Sequence, residues 1–297
     1  MPLGTLLGRL GCVEALTGAA TAAAAHRLLH LLLRTSPLPP LPDLVSLARW
    51  SRAHVRAPLS PRLHGLLLAR LASQGLYPLL RSEVHVLAAV GLHSPESILR
   101  ALPSSSSSSA STSAPLIADM LVLALARASR PLRAYDAFLL ARESHPQHPP
   151  STASVNALLA ALVGAKRVDL AEKAFRSALR RRMSPDIYTF NTIISGLCRV
   201  GQLCKAGDVA KDIRAWGLAP SVATYNSLID GYCKRGGAGN MYHVDMLLKQ
   251  MVESGISPSA VTFGVLINGY CKNSNTATAV NVFKEMKQQG IAASVAT

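Results

Sequence analysis

Four similar copies of one segment occur in the second half of the chain, and this repetition constrains the fold more than any other feature. The copies SVNALLAALV, TFNTIISGLC, TYNSLIDGYC and TFGVLINGYC begin at residues 154, 189, 224 and 262, so that successive copies are 35, 35 and 38 residues apart. Self-similarity with a fixed period of this length is typical of stacked repeat proteins. Because one copy is too short to bury its own apolar face, neighbouring copies are expected to pack against one another.

Each repeat unit has the apolar pattern of two helices. In the third unit the apolar residues fall at i, i+3, i+4, i+7 and i+8, which is one face of an α-helix; they are Tyr225, Leu228, Ile229, Tyr232 and Cys233. A second apolar pattern follows in each unit, and glycines stand where a helix C′ residue is expected at Gly217, Gly255 and Gly290. Prolines then prevent continuation of the helix. We therefore predict an all-α fold, an α-solenoid of stacked helix–turn–helix hairpins.

The boundaries of the units follow from the repeat. The units are 152–186, 187–221, 222–259, which carries a three-residue insertion, and 260–294. A degenerate copy occupies 115–151, where Ala134 and Phe138 match Ala171 and Phe175 but the aromatic–Asn pair is missing. Residues 295–297 begin a further unit, so we expect the array to be truncated at its C-terminal end.

The N-terminal part of the chain has a different composition. The first 60 residues are rich in Leu, Ala, Ser and Arg and contain only two acids, Glu14 and Asp43, which is typical of an organelle transit peptide. Heavy use of Arg, Ala and Leu by a GC-biased gene is the alternative explanation. We expect 1–60 to be the targeting segment, 61–102 a helical region and 103–114 a Ser/Pro-rich linker.

Charge and cysteine content narrow the function classes. The formal net charge of +15 indicates a polyanionic partner or a cationic targeting segment. Charges interrupt every Leu-rich run, so no membrane span is expected, and five cysteines are too few for a disulfide scaffold. Cys198, Cys233 and Cys271 share one repeat position and are expected to be small core residues rather than metal ligands. Because no catalytic set of residues is recognisable, we predict neither an enzyme nor a bound metal or cofactor.

Units of 35 residues with T-Y-N-x-L-I-x-G-Y-C-K near the start and G-x-x-P-S or S-P-D at the end resemble pentatricopeptide repeats, in particular those of the plant P-type subfamily. The resemblance covers residues 152–297, with the degenerate unit before them. The tetratricopeptide repeat has a W-x-x-L-G-x-x-Y pattern, which is absent here. The resemblance implies an RNA-binding protein in which each repeat reads one base of a single strand with a few side chains.

In the family that the chain resembles, the fifth and the last residue of each unit discriminate the base. Here these pairs are Asn156 with Asp186, Asn191 with Ser221, Asn226 with Ser259, and Gly264 with Ser294. By the family's code, Asn with Asp favours U and Asn with Ser favours C. Gly264 has no side-chain donor or acceptor, so the code predicts no base for the last unit.

Helix geometry supports these positions independently. Position 5 lies about 90° from the centre of the apolar stripe, at its edge, and an Asn amide offers the donor and the acceptor that a pyrimidine edge requires. The alternative is that the asparagines cap or pack locally. Position 13 is basic in three units, as Arg199, Lys234 and Lys272. These cations are expected to contact phosphates, and an ordinary solvated surface is the alternative.

Two functions remain open from the sequence. The leading hypothesis is a sequence-selective binder of single-stranded organelle RNA, which acts in processing, stabilisation, splicing or translation by occupying the strand, together with other RNA-processing proteins. The mitochondrion is the expected location, with the plastid as the alternative. The second hypothesis is a protein–protein adaptor solenoid of the tetratricopeptide-like type. A basic groove favours RNA, whereas an apolar groove favours a peptide or helix.

Overall fold

The computed structural model describes residues 41–54, 60–91, 93–102 and 113–292. Within these ranges all regular secondary structure is helical and comprises fourteen helices, so the predicted all-α fold is confirmed. The chain divides into two compact units, Met1–Ala161 and Leu162–Thr297. A membrane-spanning helix is not found in the described ranges, since none of their helices is both long and apolar enough.

The first unit is a bundle of short helices. Its helices are α1 (Leu41–His54), α2 (Pro61–Ser73), α3 (Tyr77–Val90), α4 (Pro95–Leu99), α5 (Ser113–Arg127), α6 (Pro131–Ser144) and the start of α7 (Thr152–Gly164). Helices α5 and α6 form a hairpin within the segment 115–151 that the sequence predicts to be a degenerate repeat. Helix α3 packs against α5, and α4 packs against α6.

Helix α1 lies inside the segment 1–60 that the sequence predicts to be a targeting peptide. It contacts α3, and its residues Leu44, Val45 and Ala48 are at most 1% exposed. The Arg49 Nε donates a hydrogen bond of 2.7 Å to Glu83, which is fully buried. Helix α1 is therefore a packed part of the first unit, whereas residues 1–40 and 55–59 of the predicted targeting segment lie outside the described residues.

The predicted Ser/Pro-rich linker 103–114 lies mostly outside the described residues. Its last two residues, Ser113 and Ala114, belong to α5, so the helix begins two residues earlier than the predicted boundary. Pro115 is the third residue of α5. A proline is compatible with this position because the first backbone N–H groups of a helix have no intrahelical acceptor.

Each predicted repeat contains two helices. The first helix of each pair is α7, then α9 (Ile187–Arg199), α11 (Val222–Arg235) and α13 (Ala260–Lys272). The second helices are α8 (Val168–Arg180), α10 (Leu203–Ala215), α12 (Ala238–Glu253) and α14 (Thr276–Gln288). Helix α11 packs directly against both α9 and α13, so that these three helices form one closely packed layer. The three-residue insertion of the third unit lengthens α12 to 16 residues, against 13 for the other second helices.

The apolar spacing predicted for the third unit recurs in the second and fourth units, and these stripes contribute to the core. Phe190, Ile193, Ile194, Leu197, Leu228, Ile229, Phe263, Leu266, Ile267 and Tyr270 are all buried. Three predicted stripe residues differ. Tyr232 is half-buried, and its ring stacks on that of the exposed His243, with centroids 5.0 Å apart. Cys198 is half-buried, and Cys271 is exposed because no described helix follows α13 in the layer.

The predicted helix-terminating glycines adopt the left-handed conformation. Gly217, Gly255 and Gly290 have φ values of 72°, 73° and 69°. The first repeat has Arg182 at the same place, with a φ of 57°. A side chain with a Cβ is strained in this region, whereas glycine is not. Arg182 therefore adopts a backbone conformation that favours glycine, because it occupies the glycine position of the other repeats.

Candidate nucleic-acid interface

The last residue of each of three repeats is the N-cap of the next repeat's first helix. The side chains of Asp186, Ser221 and Ser259 accept hydrogen bonds from the backbone N–H of Thr189, Thr224 and Thr262, at 2.7, 3.3 and 3.3 Å. Each threonine hydroxyl in turn accepts from the backbone N–H of its cap residue, at 3.2, 3.0 and 3.0 Å. This reciprocal arrangement is a capping box, which holds the cap side chain in a defined orientation.

The asparagine at position 5 joins this capping box across the repeat boundary. The Asn191 Nδ2 donates to Ser221 Oγ at 3.1 Å, and the Thr224 hydroxyl donates to Asn191 Oδ1 at 2.6 Å. One repeat later, the Thr262 hydroxyl donates to Asn226 Oδ1 at 2.8 Å. We call each set of position-5 residue, cap residue and following hydroxyl residue a cap network. The predicted pairs Asn191–Ser221 and Asn226–Ser259 are thus brought together, the second through Thr262.

The cap networks keep part of their hydrogen-bonding capacity for a ligand. Thr224 and Thr262 are at most 1% exposed, whereas the asparagine and serine side chains of both networks are half-buried and reach the surface. An amide has two N–H groups and two acceptor lone pairs. Asn191 therefore retains one N–H group and one lone pair after its two internal bonds.

The degenerate repeat has a cap network of its own. Asp119 stands at position 5 of the unit 115–151, and its carboxylate accepts from the backbone N–H of Ser151 at 2.8 Å and from the Ser154 hydroxyl at 2.9 Å. Ser154 is buried, as the equivalent threonines are. In the segment predicted to be a degenerate repeat, a similar set of hydrogen bonds therefore occurs without the aromatic–Asn pair.

The other predicted base-reading residues lie as follows. Asn156 is half-buried on α7, and Asp186 is an exposed cap residue at the start of α9. Gly264 lies on α13, half-buried and without a side chain to bond a base. Ser294 lies outside the described residues.

Sequence reasoning missed the hydroxyl residues of the cap networks. Thr224 and Thr262 stand at the third position of their units, as do Thr189 and Ser154. A hydroxyl residue at one position in four units is a signal in the sequence. It could not be interpreted there because the helix-cap role of the preceding residue was not apparent.

The three predicted phosphate-contacting residues are all exposed. Arg199, Lys234 and Lys272 lie in the last turns of α9, α11 and α13, where a positive charge also interacts favourably with the helix dipole. Lys234 forms an ion pair of 2.5 Å with Asp230. Among the described residues, Arg199 and Lys272 have no such acidic partner. The charge of Lys234 is therefore partly neutralised, whereas the charges of Arg199 and Lys272 are not neutralised within the described part of the chain.

A cleft opens on the side of the second helices. It has a volume of about 790 Å³ and lies between α10 and α12, with α11 as its floor. Its walls and floor include Cys204, Lys211, His243, Met246, Leu247, Tyr225 and Tyr232. The cleft reaches one cap network, because Thr224 is among the residues that line it. No group of His, Cys, Asp or Glu side chains suited to a metal ion occurs in the described part of the chain.

Comparisons with known proteins find PPR repeats in the second half of the chain. Models of the PPR repeat match residues 150–199, 185–234, 223–256 and 254–287. A pentatricopeptide repeat-containing protein of Arabidopsis thaliana is 45% identical over 56 residues, which is 18% of this chain and 12% of that protein.

One solved structure shares the fold, and a second also aligns with the chain. The crystal structure of the pentatricopeptide repeat protein PPR10 from maize aligns with a TM-score of 0.53 and 19% identity, over 97% of this chain and 46% of that chain. The same maize protein in complex with an 18-nt psaJ RNA element aligns with a TM-score of 0.43 and 22% identity, over 90% of this chain and 43% of that chain. The chain thus spans less than half the length of the maize protein. The tandem matches over residues 150–287 and the helix pairs found there show that this part of the chain is an array of pentatricopeptide repeats.

Proposed function

We propose that this protein binds single-stranded RNA through its cap networks, one base per repeat, as a member of the plant P-type subfamily. The observation that carries the proposal is the recurrence of the Asn–cap–hydroxyl arrangement in successive repeats, at Asn191 and Asn226, with surface-reaching polar groups in each. The exposed cations at the ends of α9, α11 and α13 are suitably placed to neutralise a phosphate chain. Family membership supports the same ligand.

The proposed base order is U, C, C along the units 152–186, 187–221 and 222–259. It follows from Asn with Asp in the first unit and Asn with Ser in the next two, read 5′ to 3′ with the chain as in the family. The unit 260–294 has no predicted base because Gly264 offers no side chain.

The direct test is RNA binding by the full chain. Each base contact contributes roughly 1–3 kcal/mol before ordering costs, so three readable units supply roughly 3–9 kcal/mol in gross. A micromolar dissociation constant needs about 8 kcal/mol net, so binding is expected to be micromolar or weaker. Fluorescence anisotropy with a UCC core in oligo(A) flanks should show this affinity and should show weaker binding to an all-A strand. Equal binding to both strands would contradict base reading, and the absence of binding would contradict RNA as the ligand.

We further propose that the RNA is an organelle transcript and that the protein acts by occupying it. The mitochondrion is favoured over the plastid, and a fluorescent fusion of the full chain tests the location. Because α1 is packed into the first unit, we place the end of any targeting segment before Leu41. Sequencing the N-terminus of the imported protein should then show a mature start at or before this residue. A start near residue 60 would remove α1 and contradict the assignment.

The adaptor function is supported by a different feature, the cleft between α10 and α12. Its floor is partly apolar, as a peptide or helix partner requires. Met246 is 39% exposed in this cleft, so Met246→Lys changes the cleft without disturbing the core. If RNA is the ligand, this variant should bind the UCC strand with unchanged affinity. A loss of RNA binding would place the RNA in the cleft instead.

A further inference from the structure

The buried threonine hydroxyl groups of the cap networks have few hydrogen-bond acceptors within reach. Thr224 and Thr262 are at most 1% exposed, so their hydroxyl hydrogens must be donated inside the protein. The acceptors within reach are the asparagine oxygens, at 2.6 and 2.8 Å, and the cap serine hydroxyls, at 3.1 Å in both networks. The asparagine oxygen is the nearer acceptor in both cases.

The cap serine of the first network already accepts two hydrogen bonds. Ser221 Oγ receives the backbone N–H of Thr224 at 3.3 Å and the amide N–H of Asn191 at 3.1 Å. A hydroxyl oxygen has two acceptor lone pairs, so the hydrogen of Thr224 is left to the oxygen of Asn191. The Asn191 amide lies with its oxygen toward the buried threonine, and the donated hydrogen stabilises this orientation.

The degenerate repeat shows the same direction of donation with a different acceptor. There the buried hydroxyl of Ser154 faces the Asp119 carboxylate at 2.9 Å. An ionised carboxylate can only accept, so the hydroxyl at the third position is the donor. The arrangement at Asn191 and Asn226 is thus the amide version of a bond whose direction is unambiguous elsewhere in the chain.

We infer that Thr224 and Thr262 are positioning residues for base selection, each holding the asparagine of the preceding repeat with its NH₂ group toward the RNA. An outward NH₂ group donates to N3 of cytosine, which is an acceptor, and meets a hydrogen on N3 of uracil. The threonine at the start of one repeat therefore sets the pyrimidine preference of the repeat before it. This inference rests on the proposed RNA binding.

The network of Asp186 shows how the cap residue competes for the same hydrogen. There the hydroxyl of Thr189 donates to the Asp186 carboxylate at 2.7 Å. A carboxylate is a stronger acceptor than an amide or a hydroxyl oxygen. With aspartate instead of serine as the cap residue, the threonine hydroxyl therefore donates more readily to the cap. Its hydrogen bond to the asparagine oxygen is then weaker, and the amide is less firmly oriented.

The experiment compares Thr224→Val and Thr262→Val in the full chain, with anisotropy measured on strands that carry C or U at the second or third base of the UCC core. Thr224→Val should lower the C-to-U affinity ratio at the second base by roughly five- to tenfold, the worth of one hydrogen bond, and leave the ratio at the third base unchanged. Thr262→Val should do the reverse. Each valine variant is thus the fold control for the other.

Thr224→Ser and Thr262→Ser complete the test because serine keeps the hydroxyl. Both should retain the wild-type ratios. Ratios that fall equally at both bases, or that do not change, would overturn the positioning role while RNA binding stands. A wild-type chain that binds RNA with no preference between C and U would also overturn it. A wild-type chain that binds no RNA would instead refute the proposed function on which it rests.

Discussion

Gly231 lies so close to Cys198 of the preceding repeat that a Cβ on the glycine would come within 2.8 Å of the Cys198 Cβ. The same approach occurs one repeat earlier, where a Cβ on Gly196 would come within 2.8 Å of Val163 Cγ2. One repeat later, Gly269 meets Cys233 in the same way. The recurring Gly-x-Cys of the first helices therefore has a packing reason. The cysteine of one repeat occupies the space left by the glycine of the next.

Replacement of this glycine should destabilise the stack. Gly231→Ala should lower the free energy of unfolding by about 1–3 kcal/mol because the contact is with a rigid Cβ, which exceeds the helix-propensity gain of about 1 kcal/mol. Gly207→Ala is the matched control, since Gly207 also lies inside a helix and has nothing within 4 Å of the added Cβ. It should raise stability by up to about 1 kcal/mol. Urea unfolding followed by circular dichroism measures both, and equal shifts would contradict the packing role.

The repeat cysteines should differ sharply in thiol reactivity. Burial, with a contribution from Asp230, raises the pKa of Cys198 to about 12 and that of Cys233 to about 11. Because the thiolate is the reactive form, both should resist iodoacetamide at pH 8 in the folded protein and become reactive only at much higher pH or on unfolding. Cys204 and Cys271 are exposed and should be modified first. Mass spectrometry of the labelled protein identifies the sites; early labelling of Cys233 would contradict its place in the core.

The salt dependence of RNA binding should report the phosphate contacts. If three cations each neutralise one phosphate, log K should fall against log salt with a slope of about −2, at about −0.7 per contact on a single strand. Lys272→Ala should flatten the slope by about 0.7. Lys234→Ala should have a smaller effect because Asp230 already offsets its charge. Base preference should not change in either variant. An unaltered slope for Lys272→Ala would show that this lysine is an ordinary solvated side chain that does not contact a phosphate.

Replacing the base-reading pair of the third repeat should change the base that this repeat prefers. Asn226→Thr combined with Ser259→Asn should shift the third base from C toward A, because a hydroxyl and an amide present a different donor–acceptor pattern. The cost of the wrong base should be about 1–3 kcal/mol, by analogy with base-edge contacts on DNA. The fold should persist because asparagine is as good an N-cap as serine. Anisotropy on strands that differ in this base measures the shift, and a double variant that still prefers C would show that these residues do not read the base.

A glycine should relieve strain in the first repeat. Arg182 has a φ of 57° where the next repeat has Gly217 at 72°. Arg182→Gly should raise the free energy of unfolding by roughly 1 kcal/mol, while Gly217→Ala should lower it by a similar amount. Thermal unfolding of the two variants compares them directly, and a destabilised Arg182→Gly would mean that the arginine side chain contributes more than its strained backbone costs.

Much of the fold was predictable from the sequence because it depends on local periodicity. The 3.6-residue spacing of the stripe in the third unit placed Leu228 and Ile229 in the core, and both are buried. Gly217 was expected at the end of a helix, and it is there in the left-handed conformation. The burial of Cys271 was predicted wrongly. Its periodicity is correct, but burial requires a neighbouring helix, and no described helix covers it.

The site was predictable only in part. The sequence by itself determined the repeat period and the helix pairs, and the family resemblance then pointed to Asn191 and Ser221 as residues to examine. Only the tertiary structure decided that their side chains meet at 3.1 Å and that Thr224 holds the amide from the far side. These residues are about one repeat apart in the chain, and periodicity fixes which face of a helix a residue occupies but not which residue of the next helix lies opposite. That register depends on how two helices pack together, as in the close approach of Gly231 to Cys198.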